Sequence, residues 1–348
     1  MGQLRIPFLF VLIAALVVLT IFTPLMTARS QLPSCVVSDD GVIIADVCPG
    51  SDLGARVESA EAASSLGATI VVLTPVNWTT PIGLYGRSLV FRGGTFTYTG
   101  TQSPAIALGN AELSGAGYGL TALTSTTVTG MVGILSSPAQ HAISISDITI
   151  DSSAPTASQP LVNLGCSYVG AVVQHVQFRL HGQAVNALYI GGTNFGPTTV
   201  EDAWVIGSGI DNILVDSPAV WGGGGQVWLS RITTEQWGAS HAGINIRGVA
   251  GGGYSSSIRD VHCEATPTTN AACVRTNVRA HIDTVVWFGS YPSPGVSCAV
   301  VWVMSPPAWN NTFFGSIEMT NAHAGCAVVR NDQSGVVTTT PVVTMVLP

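Results

Sequence analysis

Not one lysine occurs in this chain of 348 residues; all 12 basic side chains are arginine. That absence removes the phosphate-gripping lysine of a P-loop and any chemistry that runs through a lysine Schiff base. The glycine runs at residues 222–225 and 251–253, with no Lys-Ser or Lys-Thr behind them, therefore read as loops. Charge of either sign is scarce, at 9% of residues, so little of the chain can form helices laced by ion pairs. The formal net charge of −7 argues against nucleic acid or another polyanion as partner. No Cys-x-x-Cys or Cys/His ligand spacing is present, which argues against a zinc site.

What the chain has in quantity is glycine, 39 residues, to turn corners, and Val, Ile and Thr, which suit strands buried on one face. Between residues 105 and 329 a short apolar strand recurs nine times. Counted at Ile106, Val132, Val162, Leu188, Ile213, Ile244, Cys273, Cys298 and Cys326, the steps run from 25 to 31 residues. A second strand family keeps phase with the first, with paired apolar positions at Ile145/Ile148, Val173/Val176, Val200/Ala203, Leu229/Ile232, Ile258/Val261, Ile282/Val285 and Phe314/Ile317. Two families in phase, separated by Gly, Asn, Asp, Ser and Pro corners, describe the coils of a parallel β-helix. Leucine-rich repeats need Leu and Asn at fixed offsets, and propeller blades need about 40 residues each. An antiparallel sandwich of unrelated strands gives no constant step.

Three regions follow. Residues 1–30 hold Arg5, an apolar run over residues 6–26 and then Ala28-Arg29-Ser30. That pattern serves a secretory signal peptide cleaved before Gln31, or an uncleaved membrane anchor. Either way the rest of the chain is secreted or held in the cell envelope, and it meets a membrane only through this segment. Residues 31–66 form an entry segment and one helix over residues 51–66. Ser51 is placed to cap it, Asp52 lies at its positive end, Leu53, Val57 and Ala60 share a face, and Gly67 stops it. Its expected role is to close the open apolar end of the first coil. Residues 67–348 are the β-helix, nine to eleven coils ending near residue 346.

All seven cysteines lie beyond residue 30, which suits an oxidising compartment. Cys35 and Cys48 flank Val42-Ile43-Ile44 and are spaced to staple the entry. Cys273, Cys298 and Cys326 share one repeat position, about 4.8 Å apart on neighbouring coils. There, one adjacent pair can bond, or the three can stack as reduced, small apolar residues.

The run Cys48-Pro49-Gly50-Ser51-Asp52-Leu53-Gly54-Ala55-Arg56, the alanine-rich helix and Gly67-Ala68-Thr69-Ile70-Val71-Val72-Leu73 resemble the N-terminal cap of pectate-lyase-superfamily proteins. Residues 143–151 resemble one of their coils. The resemblance implies an all-β, right-handed, single-chain parallel β-helix with an N-terminal capping helix. It implies no single activity, since the superfamily holds polysaccharide lyases, glycoside hydrolases, epimerases and phage tailspikes. The Asn-Thr-Asp and Gly-His-Gly motifs of polygalacturonase-type enzymes are absent; Leu180-His181-Gly182 lacks the first glycine. No short motif of the calcium-dependent lyases is intact.

A site must therefore come from the coil register. Strand alternation turns outward the pairs Thr149/Asp151, Gln177/Arg179, Trp204/Ile206, Thr233/Glu235, His262/Glu264, Val286/Phe288 and Glu318/Thr320. Glu235 and Glu264 then sit on adjacent coils about 5 Å apart, the separation of a retaining glycosidase's carboxylates. With His262 beside them they are the candidate catalytic set, Glu264 as the acid and Glu235 as nucleophile or ligand. Trp204, Trp237 and Arg179 are the candidate substrate-binding residues, an indole ring being able to pack on a sugar's apolar face. Asp147, Asp202 and Asp260 share a corner position and read as turn residues. The plainer alternative is a solvated face that happens to carry two glutamates. Two classes stay open, a polysaccharide hydrolase or lyase and a β-helix that binds glycans or forms a rigid rod. The partner in both is polysaccharide; no cofactor is called for beyond calcium at the paired carboxylates, and no oligomeric state is assigned.

Overall fold

The computed structural model describes residues 35–346 except 136–141, 158, 166–169, 192–196, 217–225, 249–255, 267, 269, 279, 289–296, 305–312, 321–325 and 333–341. The apolar run at residues 6–26, the cleavage position before Gln31, Cys166 and the two glycine runs lie outside the described residues.

The chain winds into a parallel β-helix of about nine turns. A ten-stranded sheet takes the first strand family in chain order, from Ile82–Tyr85 to Cys326–Asn331; a 16-stranded sheet takes the second. In the second family Ile145, Val173, Val200, Leu229, Ile258 and Ile282 pair in succession. So do Ile148, Val176, Ala203, Ile232, Val261, Val285 and Ile317. Every one of these side chains is buried. At roughly 25 cal/mol per Å² of apolar surface removed from water, these inward stacks hold each coil to the next.

The first family keeps the expected register from Ile106 through Val132, Val162, Leu188 and Ile213 to Ile244. It departs at the next coil. Ile244 pairs with Val274 rather than Cys273, and Cys298 pairs with Ala271. Cys273 and Cys298 are therefore not stacked neighbours. Ala271, Ala272, Cys273 and Val274 are all buried, so no alternation in the sequence marks which of them continues the ladder.

Cys298 and Cys326 are partners in register and are bonded, with Cα atoms 4.4 Å apart. Cys35 and Cys48 staple the entry as expected. Cys273 bonds instead to Cys263, ten residues earlier, joining the two strand families inside one coil. Three disulfides among the described residues speak for an extracytoplasmic setting.

Helix α1, Leu53–Ala63, is shorter at both ends than the sequence indicates, and its N-cap is Asp52 rather than Ser51. The Asp52 carboxylate accepts the Ala55 N–H, and it also accepts the Thr79 and Thr80 N–H groups and the Thr79 hydroxyl. One side chain thus caps the helix and ties it to the coil beneath. Burial works to raise the Asp52 pKa, but these four bonds outweigh it and hold the carboxyl well below the usual carboxylate range. Leu53, Val57 and Ala60 are buried, and the helix packs on the turn Ala45–Val47 and on the strand Ile82–Tyr85.

Each long strand of the second family bends at one residue in the left-handed region. Asp147, His175, Asp202, Arg231, Asp260 and Thr284 all have φ between 51 and 56°, and they stack as a single corner row. Asp147, Asp202 and Asp260 thus turn the chain, where a short polar side chain tolerates positive φ. His175 stands between Asp147 and Asp202 at 3.3 and 3.2 Å, and Arg231 bonds to Asp202 and Glu201. The strand limb beyond this corner carries the candidate site.

Candidate functional site

Beyond the corner, outward positions stack in two rows along the helix axis. One runs Gln177, Trp204, Thr233, His262, Val286. The other runs Asp151, Arg179, Ile206, Glu235, Glu264, Phe288. Neighbours within a row are one coil apart, about 4.8 Å. Glu235 and Glu264 are such neighbours.

Each glutamate has its own partner. The Trp204 indole N–H donates to Oε1 of Glu235 at 2.7 Å, diagonally across one coil boundary. Nε2 of His262 lies 2.8 Å from Oε1 of Glu264, at ion-pair distance but out of line for a hydrogen bond. The His262 ring leans on Phe288, with centroids 4.6 Å apart. Trp204 is 37% exposed and Phe288 46%, and the side chains of His262 and Glu264 are 42% and 49% exposed. The result is an open face with a carboxylate pair at its centre and an aromatic ring on either side.

Arg179 and Trp237 stand apart from that pair. With His181 and Gln236 they line a cleft of about 550 Å³ at the end of the same strands. Trp237 is half-buried against the core, its ring 5.6 Å from that of Trp287, so it forms a wall rather than an exposed plate. Arg179 is exposed and has no hydrogen-bond or ion-pair partner among the described residues. His181 is fixed beside it by a 2.9 Å bond between its Nε2 and Oδ1 of Asp151. Glycine opens this corner. Gly207 has φ of 83°, and a Cβ there would meet the Leu180 carbonyl oxygen at 1.9 Å. No short motif marks His181, Asp151 or Gln236 as site residues; the row register sets Asp151 beside Arg179, but His181 and Gln236 lie past the strand ends and carry no such signal.

Thr149 and Gln177, expected on the outer face, are buried. Gly119 lies in the loop between the strands Ala111–Ser114 and Thr121–Ser125, and its N–H donates to Oγ1 of Thr149, whose hydroxyl donates to Oε1 of Gln177. The loop covers this end of the row and leaves the open face to begin at Trp204. Tyr118 and Leu120 of the same loop are exposed.

Among the described residues no three His, Cys, Asp or Glu side chains gather to hold a metal ion. A cation at Glu235 and Glu264 would have those two carboxylates as its acidic ligands. A scan against family models, a search of curated proteins and a search of solved structures each find no match to this chain.

Proposed function

We propose that this is a secreted or envelope-attached β-helix protein that binds polysaccharide along the face from Trp204 to Phe288, with Glu235, Glu264 and His262 as the groups that act on it. The observation that carries the reading is the in-register Glu235–Glu264 pair flanked by exposed aromatic rings on a lateral row. Rings of that kind stack on the apolar faces of sugars. The backbone spacing of adjacent coils, about 4.8 Å, is close to the carboxylate separation a retaining glycosidase uses. The likeness of residues 48–73 and 143–151 to the pectate-lyase superfamily supports the same substrate class, a hydrolase or a lyase, on fold-level analogy.

A second reading, a glycan-binding surface without turnover, has one specific observation in its favour: Trp204 and His262 already engage both carboxylates. A glycan panel separates the two. Reducing ends without unsaturation report hydrolysis, reducing ends with an equal yield of unsaturated ends report elimination, and retention without either product reports binding alone. Failure of every glycan to bind or turn over would overturn both.

A further inference from the structure

We infer that the ligand of this face is a sparsely charged heteropolysaccharide, with one anionic sugar seated at Arg179 and uncharged or basic sugars over Glu235 and Glu264. The inference rests on the glycan reading above and adds the charge pattern of the ligand. Read along the axis, the row is Asp151, Arg179, Ile206, Glu235, Glu264, Phe288.

Its first acidic member is engaged, because Asp151 is bonded to His181. The next member, Arg179, is an exposed cation with no partner among the described residues, and it opens on the cleft with Gln236 and Trp237. A guanidinium presents a planar fork of donors that matches a carboxylate or a sulfate. Ile206 then leaves one coil uncharged. Two coils beyond Arg179, roughly 10 Å along the axis, begin two consecutive glutamates.

A polymer with an anion on every sugar would satisfy Arg179 and then meet Glu235 and Glu264 with like charge, on a chain whose net charge is already −7. A polymer with one anion for every few sugars meets no such opposition. Its neutral rings fall over Trp204 and Phe288, and its hydroxyls can donate to the glutamates. The row thus selects for an acidic sugar at one place and against it two coils away, attraction and repulsion acting together as specificity requires.

The test measures affinities of the full chain for glucuronoxylan, a lightly sulfated xylan of the same low charge density, the uncharged form of each, and polygalacturonate. At least one sparsely charged polymer should bind about tenfold or more tightly than its uncharged counterpart, the effect expected of a charge-assisted contact. Arg179→Gln should erase that difference. The sulfated xylan against glucuronoxylan distinguishes sulfate from carboxylate as the preferred anion. Tightest binding to polygalacturonate, or a charge preference that persists in Arg179→Gln, overturns the inference. Equal binding of charged and neutral polymers, weakened by Trp204→Ala, overturns it while leaving the glycan reading intact. No binding to any of the polymers overturns both. Unchanged thermal midpoints in the variants show that fold loss is not the cause.

Discussion

The indole N–H of Trp204 is bonded to Oε1 of Glu235, two residues of different coils that the sequence separates by 31 positions. The ring and its N–H therefore have separable roles. Trp204→Phe keeps an aromatic plate and deletes the donor, and Trp204→Ala deletes both. A single exposed hydrogen bond is worth about 0.5–1.5 kcal/mol net, so Trp204→Phe should hold glycan affinity within about threefold of the parent. Trp204→Ala should weaken it about five- to tenfold through loss of stacking. Affinity electrophoresis reads both, and equal losses in the two variants would show that the bond to Glu235, not the ring, carries the binding.

The disulfides make a different comparison. Cys298–Cys326 closes a span of 28 residues between adjacent coils, and Cys263–Cys273 closes one of ten within a coil. On loop-closure entropy, replacing both cysteines of the longer loop by Ala should cost about 3–4 kcal/mol, and of the shorter about 2–3 kcal/mol. Urea unfolding of the two double variants gives the order. The reverse order would mean that the link between the two strand families does more than restrict the unfolded chain.

Of the fold, the second strand family was legible down to single residues. All seven pairs of apolar positions from Ile145/Ile148 to Phe314/Ile317 fall in the observed register, because alternation on each side of the corner residue, which resets the phase so that positions three apart both face inward, leaves one register that buries the apolar side. The first family lost that signal at residues 271–274, buried without interruption, and the error displaced Cys273. Its bond to Cys263 spans the inside of a coil, a distance set by coil width that no repeat period encodes. The rows of the candidate site were legible for the same reason as the second family, and Glu235 beside Glu264 came directly from it. The cleft at Arg179 and Trp237 was not, since it depends on how closely glycine corners stack. Nor was the burial of Thr149, which bonds to a loop whose path the strand pattern does not give, or that of Gln177 beside it.

Asp52 gives the entry cap an acid limit. Its carboxyl is held below the usual range in the folded chain, so its contribution to stability is complete above the unfolded carboxylate pKa of about 4 and is lost as pH falls below it. Asp52→Asn keeps a competent cap with no charge to titrate. The stability difference between parent and Asp52→Asn, followed by chemical denaturation from pH 7 down to 2, should therefore shrink below pH 4. Asp52→Ala should cost about 1–2 kcal/mol at neutral pH from the lost cap alone. A constant difference between parent and Asp52→Asn across that range would remove Asp52 as the titrating group.

The corner row can be tested at Arg231, where a long side chain sits at φ of 53° and is ion-paired in an exposed position. Exposed ion pairs contribute about 0–1 kcal/mol, and left-handed backbone costs a non-glycine residue about 1–2 kcal/mol. Arg231→Gly should thus leave the thermal midpoint within a few degrees of the parent. Arg231→Val keeps the strained φ, adds a β-branch and removes the ion pairs, so its midpoint should fall clearly. A clear loss in Arg231→Gly would instead assign the stability to the Asp202–Arg231–Glu201 pairs.

Turnover at the carboxylate pair is decided by isosteric replacement. Glu264→Gln preserves the shape of the face and removes the proton donor, and the exposure of Glu264 makes the change tolerable to the fold. Glu235→Gln keeps a carbonyl oxygen able to accept from Trp204, so the indole remains in place while the proposed nucleophile is gone. In an enzyme each should lower the rate roughly 10²–10⁴-fold, the span that acid–base groups typically contribute, with affinity within about threefold of the parent. The products also separate the chemistries. A hydrolase loses reducing ends in both, whereas unsaturated product from the parent would place a uronic acid at the carboxylate pair and overturn the charge pattern inferred for the row. Parent-level product from Glu264→Gln and Glu235→Gln alike would take both glutamates out of the chemistry. Their position between Trp204 and Phe288 would then be that of hydroxyl acceptors in a binding groove, with affinity rather than rate as the property that their replacement changes.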